Sequence, residues 1–552
     1  MVTAGVDPVL AAIAQRTGVD VSVEDGALRV GSASVSLPAT DSEWNDLRVA
    51  HALPYAAHGD QREKLLYTIV QDASAGEGDR HLDEQLRSEL EELLDVPGVR
   101  SVSMLADAMR QEFWVEPNRR PFLLPYQAEL PAGFDLSQER VRGAAVRYQR
   151  PADGALFGRA RYRMFGGYIL PFLCWDGAQP DEDLIGEFLA AFGDAGNLAL
   201  IDDLFLGAAT ALSGGDAELT VAALLERSSE QLNTLASAGG AFCQPALDRF
   251  RDDLRTVLRM KLPRADRIEA LTLLLSLHLT TLYYRVAVVF AEELRAVSEA
   301  TTHGTVPHTC PCSSLGTCSL AGLIKVRAPS LGFRAISTTS PARLAYTALD
   351  RDRLLALPAN IAAANLLDRA WHGLTGDAIV EGAPRPALLA SRIVAADSTT
   401  RSAFDAATSA LAVLYARRDA RDPEVPERVS QRAPGPFAVQ SAMLYMRRTK
   451  LRHTSRDVVN QLAYRPGEGS LLRKNGSLYY FELDEDLMYL LVKLVCRDSE
   501  LPYDDFLDGL TFYGIAPQDD HEADLLAERL EQLGMLTRYS DAGDSLYVRH
   551  VY

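Results

Sequence analysis

The sequence predicts a multidomain, mainly α protein with small β elements (an α+β fold), a helical central domain and a C-terminal winged-helix-like module. Three observations support this prediction. Apolar residues recur three and four positions apart over most of residues 180–300, which indicates long helices. A short stretch near the N-terminus alternates polar and apolar residues, as strands do. The end of the chain has three helical patterns followed by two strand patterns.

The composition is that of a globular protein, with 47% hydrophobic and 24% charged residues among 552. At about 150 residues per domain, this length predicts roughly three to four domains. The formal net charge of −19 disfavours nucleic-acid binding by the molecule as a whole, so any such contact requires a local basic patch. Six cysteines and no secretory signal predict a reducing, cytoplasmic location.

The first half of the chain is predicted to begin with a helix and a hairpin, which turns at Asp25 and Gly26. A proline-rich passage at 114–134 marks a boundary, and residues 157–175 are predicted to form a strand. Helices are predicted at 8–16, 61–73, 80–95, 181–193, 197–212, 216–237, 243–260 and 264–299. The predicted domains are an N-terminal α+β domain (1–125), a helical domain (126–300), a cysteine-loop and helical domain that ends in a linker (301–436) and a C-terminal domain (437–552).

The last of these helices contains an uncharged apolar stretch at 270–284. A membrane span needs about 20 apolar residues, and this stretch is shorter and is bounded by Glu269 and Arg285. We therefore predict a buried helix and no contact with a membrane. Four of its side chains could line a ligand pocket or, alternatively, be paired within the core: His278, Tyr283, Tyr284 and Arg285.

A loop after this helix is rich in possible metal ligands. Zinc prefers four Cys or His ligands in a tetrahedron. The candidate ligands are His308, Cys310, Cys312 and Cys318, with His303 as a substitute. The Cys-x-Cys spacing departs from that of zinc fingers, so the alternative is a surface loop whose cysteines are clustered by chance. A zinc ion bound only by these residues would be structural.

The C-terminal region is strongly acidic. Residues 481–545 hold 17 Asp or Glu and 4 Lys or Arg, a balance of −13. Helices are predicted at 483–496, 501–514 and 521–534, followed by two strands within 535–552. This is the order of a winged-helix module, but an acidic third helix would repel phosphates. We therefore interpret the module as a protein-docking element.

A basic strip precedes the acidic module. Residues 441–480 hold eight Lys or Arg against two Asp or Glu, with four interleaved tyrosines. Such a strip could contact DNA or a partner protein, or it could dock on the acidic module that follows. The candidate contact residues are Arg447, Arg448, Lys450, Arg452, Arg456, Arg473 and Lys474.

The sequence contains none of the common catalytic motifs. It has no phosphate-binding loop, no dinucleotide-binding glycine motif, no His-Glu-x-x-His and no Gly-x-Ser-x-Gly. No catalytic or cofactor-binding residue can be nominated, and a non-catalytic role is favoured. Two alternatives remain: a metal-dependent enzyme whose site is dispersed along the chain, and a winged-helix transcriptional regulator.

Patterns at 271–294, 350–367, 481–495 and 528–548 resemble the DptG-type subunit of DNA-phosphorothioation-dependent restriction systems, or a related subunit of methylation-associated antiphage systems. The resemblance is one of pattern, without a diagnostic motif. It implies a non-catalytic subunit that acts beside an FtsK/HerA-like ATPase and a DNA-targeting effector. The function expected from it is a scaffold or adaptor in an antiphage defence complex.

Overall fold

The computed structural model is mainly helical. Helices account for 72% of the described residues, and the strands form small sheets. The prediction of a mainly α protein with small β elements is therefore confirmed. The described residues are 7–46, 69, 73, 168–193, 220–237, 240–241, 243–262, 264–305, 324–325, 351–377, 386–419, 428, 434–446, 472–475, 478–481, 485–513, 515–517, 519–539 and 545–550.

A helix and a three-stranded antiparallel sheet form an N-terminal unit (residues 7–46). Its elements are α1 (Pro8–Thr17), β1 (Val21–Glu24), β2 (Ala27–Val30), β3 (Ala33–Ser36) and α2 (Asp41–Trp44). The Asp7 side chain accepts hydrogen bonds from the first turn of α1, and Gly18 ends the helix with a φ of 71°. Asp25 and Gly26 both have positive φ, 49° and 75°, as a tight hairpin turn requires. The predicted hairpin is thus confirmed.

A helical core follows, built around one very long helix. The 40 residues of helix α8 span about 60 Å. All residues from 271 to 283 are buried, which confirms the predicted central helix. The helices of the core are α3 (Ile169–Leu173), α4 (Glu182–Gly193), α5 (Val221–Arg227), α6 (Ser229–Ser237), α7 (Gln244–Arg259), α8 (Arg264–His303), α9 (Arg351–Thr375), α10 (Pro386–Ala395), α11 (Ser398–Asp419) and α12 (Gly435–Met446).

Helix α8 owes its apolar character to its place in the core. Among the described helices, its segment Glu269–His303 is long and apolar enough to cross a membrane. The most apolar part of this segment is wholly buried inside the protein. Helices α7, α9, α10, α11 and α12 all pack against α8. A helix covered on all sides is expected to be apolar all round.

Two predictions in the first half of the core were wrong in detail. The expected strand at 157–175 contains helix α3, and all five of its side chains are buried. A short continuous apolar run has no period that separates a buried strand from a buried helix. The single helix expected at 216–237 is interrupted at Ser228, which separates α5 from α6.

The last elements form a C-terminal unit (residues 485–550). A hairpin of β5 (Leu472–Asn475) and β6 (Leu478–Phe481) precedes it. The elements of the unit are α13 (Glu485–Cys496), β7 (Leu501–Pro502), α14 (Tyr503–Thr511), β8 (Ile515–Ala516), α15 (Asp520–Gln532), β9 (Leu536–Tyr539) and β10 (Ser545–Val548). The three expected helices and two expected strands are all present. The sheet order is β7-β10-β9, and β8 pairs in parallel with β4 (Ile324–Lys325) from the middle of the chain.

The predicted division into four domains stays a prediction. The boundary after residue 125 lies outside the described residues, as does most of the linker expected at 421–436. The boundary after residue 300 falls within the last turn of α8. The boundary after residue 436 falls in the first turn of α12, a helix that packs on α11 and α9 of the core.

The N-terminal unit packs closely on α9 and α11. A Cβ at Gly373 of α9 would lie 2.9 Å from the Cα of Val35 and 3.2 Å from the carbonyl oxygen of Ser34 in β3. Because these are backbone atoms, the contact requires glycine. Arg16 of α1 also forms an ion pair with Asp405 of α11, with 2.9 Å between Nη1 and Oδ2.

We expect Gly373→Ala to destabilise the protein by about 1–3 kcal/mol, the usual cost of overpacking a close contact. The matched control is Gly186→Ala, because Gly186 is also helical and its Cβ would lie 3.7 Å from the nearest atom, on Val221. The control should be neutral or slightly stabilising. Thermal unfolding followed by circular dichroism measures both changes. Equal midpoints for the two variants would contradict the close approach of α9 and β3.

Candidate interaction surface

The predicted metal ligands lie mostly outside the described residues. His303 is the exposed last residue of α8, whereas His308, Cys310, Cys312 and Cys318 are not described. Within the described ranges, no group of three His, Cys, Asp or Glu side chains could hold a metal ion. The described cysteines, Cys174, Cys243 and Cys496, are buried. The zinc site stays a prediction.

Only the end of the basic strip is described. Arg473 and Lys474 lie on β5, where they pair across the hairpin with Tyr480 and Tyr479 of β6. Basic and aromatic positions are therefore opposite each other in the strand register of this hairpin. The remaining candidate contacts lie outside the described residues: Arg447, Arg448, Lys450, Arg452 and Arg456.

An acidic stripe follows one face of α15. Asp524, Glu528 and Glu531 are exposed and are three or four positions apart, the spacing of neighbours on one helix face. Leu526 and Leu530 of the same helix are buried within the C-terminal unit. Helix α15 therefore exposes carboxylates to solvent on one face and buries apolar side chains on the opposite face.

Helix α14 extends this negative surface. Its residues Asp504, Asp505 and Asp508 are exposed. Burial raises the pKa of Tyr503, and the charges of Asp504 and Asp524 raise it further, because both carboxylates lie near its hydroxyl. Asp504 of α14 and Asp524 of α15 therefore both lie near Tyr503. We call the exposed carboxylates of these two helices the acidic surface: Asp504, Asp505, Asp508, Asp524, Glu528 and Glu531.

Few cations neutralise the acidic surface. Glu531 forms an ion pair with Arg538, with 3.0 Å between Oε2 and Nη2. Arg529 of α15 pairs instead with Glu485 of α13. In the part of the chain that the structure describes, the other carboxylates of this surface form no ion pair. Asp504 and Asp505 stabilise the N-terminus of α14, but the remaining carboxylates lie beyond a first helical turn and do not have that role.

A buried polar network joins the C-terminal unit to the helical core. Asp253 of α7 is fully buried, and its Oδ2 accepts a hydrogen bond from the Tyr513 hydroxyl at 2.7 Å. The same oxygen lies 3.0 Å from Nε2 of His278 on α8. Arg249 pairs with Asp253, with 3.1 Å between Nε and Oδ1, and donates to the Tyr513 hydroxyl at 2.8 Å. Burial and the Asp253 charge raise the pKa of Tyr513, so this hydroxyl remains a donor.

Two arginines of the core also bind carbonyl groups at helix ends in the C-terminal unit. Arg249 donates to the carbonyl of Leu494 in the last turn of α13, at 3.1 Å. Arg285 is buried and donates to the carbonyl of Phe512, the C-cap residue of α14, at 2.6 Å. The last carbonyls of a helix have no partner within the helix and carry the negative end of its dipole. His278 and Arg285 are therefore paired within the core, in agreement with the structural alternative.

Sequence reasoning did not select Arg249, Asp253 or Tyr513. A signal for Asp253 exists, because this carboxylate lies on the face of α7 where Phe250 and Val257 are buried. A carboxylate at a core position indicates a buried partner. The partner itself could not be found, since Tyr513 lies 260 positions away in the chain.

No model of a known protein family matches this chain, and no curated protein matches it significantly. The resemblance to DptG-type subunits therefore remains a hypothesis that rests on sequence pattern. Two features characterise the described part of the protein: its mainly helical fold and the acidic surface of its C-terminal unit.

Proposed function

We propose that the chain is a non-catalytic scaffold or adaptor subunit of a bacterial, restriction-like antiphage defence complex in the cytoplasm. In this proposal, the acidic surface docks a partner protein, with an FtsK/HerA-like ATPase as the expected partner. The observation that carries the proposal is the set of exposed carboxylates on α14 and α15, most of which form no ion pair with a described residue. The resemblance to DptG-type subunits supplies the defence context and the kind of partner.

The proposed C-terminal module is winged-helix-like. Three helices precede the hairpin of β9 and β10, and β7, which lies between the first two helices, pairs with β10. This order of elements supports the proposal. In DNA-binding modules built on helix-turn-helix units, the recognition helix enters the major groove. Helix α15 occupies the corresponding place in the chain.

The charge of α15 favours a protein partner over DNA. Duplex DNA carries one negative charge per about 1.7 Å of its axis. A helix in the groove would bring the acidic surface within the Debye length of about 8 Å at physiological salt, where repulsion is not screened. A partner with exposed Lys and Arg would instead be attracted and steered to this surface. We therefore propose a basic docking segment on the partner.

The basic strip has a separate role in this proposal. It contacts DNA or the partner, because its basic residues could neutralise phosphates and its interleaved tyrosines could stack bases. The alternative is that the strip docks on the acidic surface within the same chain. Both roles are compatible if partner binding releases the strip.

Neutralising the acidic stripe should weaken partner binding. We expect the double variant Asp524→Asn with Glu528→Gln to bind about tenfold less tightly, equivalent to about 1.4 kcal/mol. The measurement is co-purification of the tagged chain with the products of neighbouring genes, followed by titration of the partner retained. The matched control is Asp183→Asn with Glu187→Gln, an exposed pair with the same spacing on α4. A chain that retains none of these products would contradict the adaptor proposal.

The transcriptional-regulator alternative makes a different prediction. It requires specific binding of duplex DNA that weakens steeply with salt and changes when α15 is altered. Fluorescence anisotropy with a labelled duplex separates the cases. If DNA binds only through the basic strip, the α15 variant should leave the affinity unchanged or raise it. Loss of DNA binding in the α15 variant would support the regulator.

We also propose that the cysteine loop binds a structural zinc ion through His308, Cys310, Cys312 and Cys318. Elemental analysis of the purified full chain should give about one zinc per chain, because four such ligands satisfy a tetrahedral site. Cys312→Ser should abolish the zinc and lower the melting temperature. Cys243→Ser, at a buried position in the described core, should retain the metal. Absence of zinc from the unaltered chain would remove both this site and the metal-dependent enzyme alternative.

A further inference from the structure

We propose that Arg249 and Arg285 form a polar latch that holds the C-terminal unit on the helical core, and that the unit can leave the core while it remains folded. The latch comprises these two arginines and the polar network of Asp253, His278 and Tyr513. It is a conformational device within the chain and does not depend on the proposed partner. Its basis is the kind of atom that each arginine contacts.

The arginines bind backbone carbonyls at the ends of helices. Arg249 reaches Leu494 at the end of α13, and Arg285 reaches Phe512 at the end of α14. Both helices therefore direct the negative ends of their dipoles towards cations of the core. These bonds fix the orientation of the C-terminal unit. They do not hold α13 and α14 to each other.

The guanidinium of Arg249 is surrounded by groups from both the helical core and the C-terminal unit. The guanidinium of Arg249 lies 5.4 Å from the ring centre of Phe512 and 5.2 Å from that of Tyr513, so two aromatic rings of the C-terminal unit cover it. Asp253 compensates its charge from the core side, and His278 packs edge-on against the Tyr513 ring at 5.7 Å. Tyr513 is thus inserted among charged and aromatic groups that belong to α7 and α8.

The C-terminal unit has its own interior. The strands β7, β10 and β9 form one sheet within the unit, and β8 is the strand that pairs with β4 outside it. Helices α13 and α14 meet at Gly509, where an added Cβ would lie 2.4 Å from the Val495 side chain, so their contact is independent of the core. Apolar side chains of the unit that are buried in the folded protein include Met488, Phe506, Leu526, Leu530 and Met535. Removal of the latch therefore weakens the attachment of the unit more than its internal fold.

Hydroxyl-radical footprinting of the full chain, read by mass spectrometry, tests the latch. We expect Arg285→Met to raise the oxidation rate of His278 and Tyr513 at least threefold, because undocking exposes both rings to solvent. Met488 and Phe506 inside the C-terminal unit should keep their protection, as should Phe404 in α11. This pattern distinguishes undocking of a folded unit from unfolding.

Two further variants complete the experiment. Tyr513→Phe keeps the ring and removes the hydroxyl that Asp253 binds, so His278 should again become more reactive. Arg295→Met is the matched control, since Arg295 lies on the same helix but is exposed and, among the described residues, pairs with Glu292 and Glu299 of its own helix. It should leave the pattern unchanged. Equal gains at Met488 and His278, or no gain at His278 in either latch variant, would overturn the proposal.

Discussion

The need to cover α8 on every side governs the arrangement of the whole molecule. An apolar helix of this length cannot face water, so helices from distant parts of the chain must surround it. Three of its buried polar residues contact defined neighbours. His278 contacts Asp253 of α7, Arg285 binds the C-terminal unit, and Glu293 accepts a hydrogen bond from the Ala387 amide at the start of α10. Each of these three side chains specifies one contact that apolar packing alone would leave undetermined.

Charge has two separate uses in this fold. In the interior, charged groups are few and each is directed at a defined partner, so they determine orientation more than stability. On the C-terminal unit, carboxylates are numerous and mostly without cationic partners among the described residues. Such groups contribute little to folding, but they create a long-range field that selects partners by charge. Buried charged groups therefore orient the C-terminal unit on the helical core, whereas its exposed carboxylates create the field that selects a partner.

Sequence patterns predicted the elements better than their contacts. The period of α8, the hairpin at Asp25 and Gly26 and the three C-terminal helices follow from local chemistry, and the structure contains them all. Helix α3 was missed because five consecutive apolar residues carry no period. The polar network was missed because Asp253 and Tyr513 are adjacent only after folding. The excess of acidic residues could be predicted from composition, but the structure was needed to show which carboxylates of α14 and α15 are exposed. The cysteine loop and most of the basic strip keep the status of predictions.

The ion pair between Arg16 and Asp405 has a consequence for biosynthesis. Its partners are 389 positions apart, so helix α1 leaves the ribosome long before the surface of α11 exists. At 5–20 residues per second, the delay is roughly 20–80 s. During that interval, the apolar side chains of the N-terminal sheet that later cover α9 have no native neighbour. This sheet therefore stays open to non-native association until α9 has been synthesised.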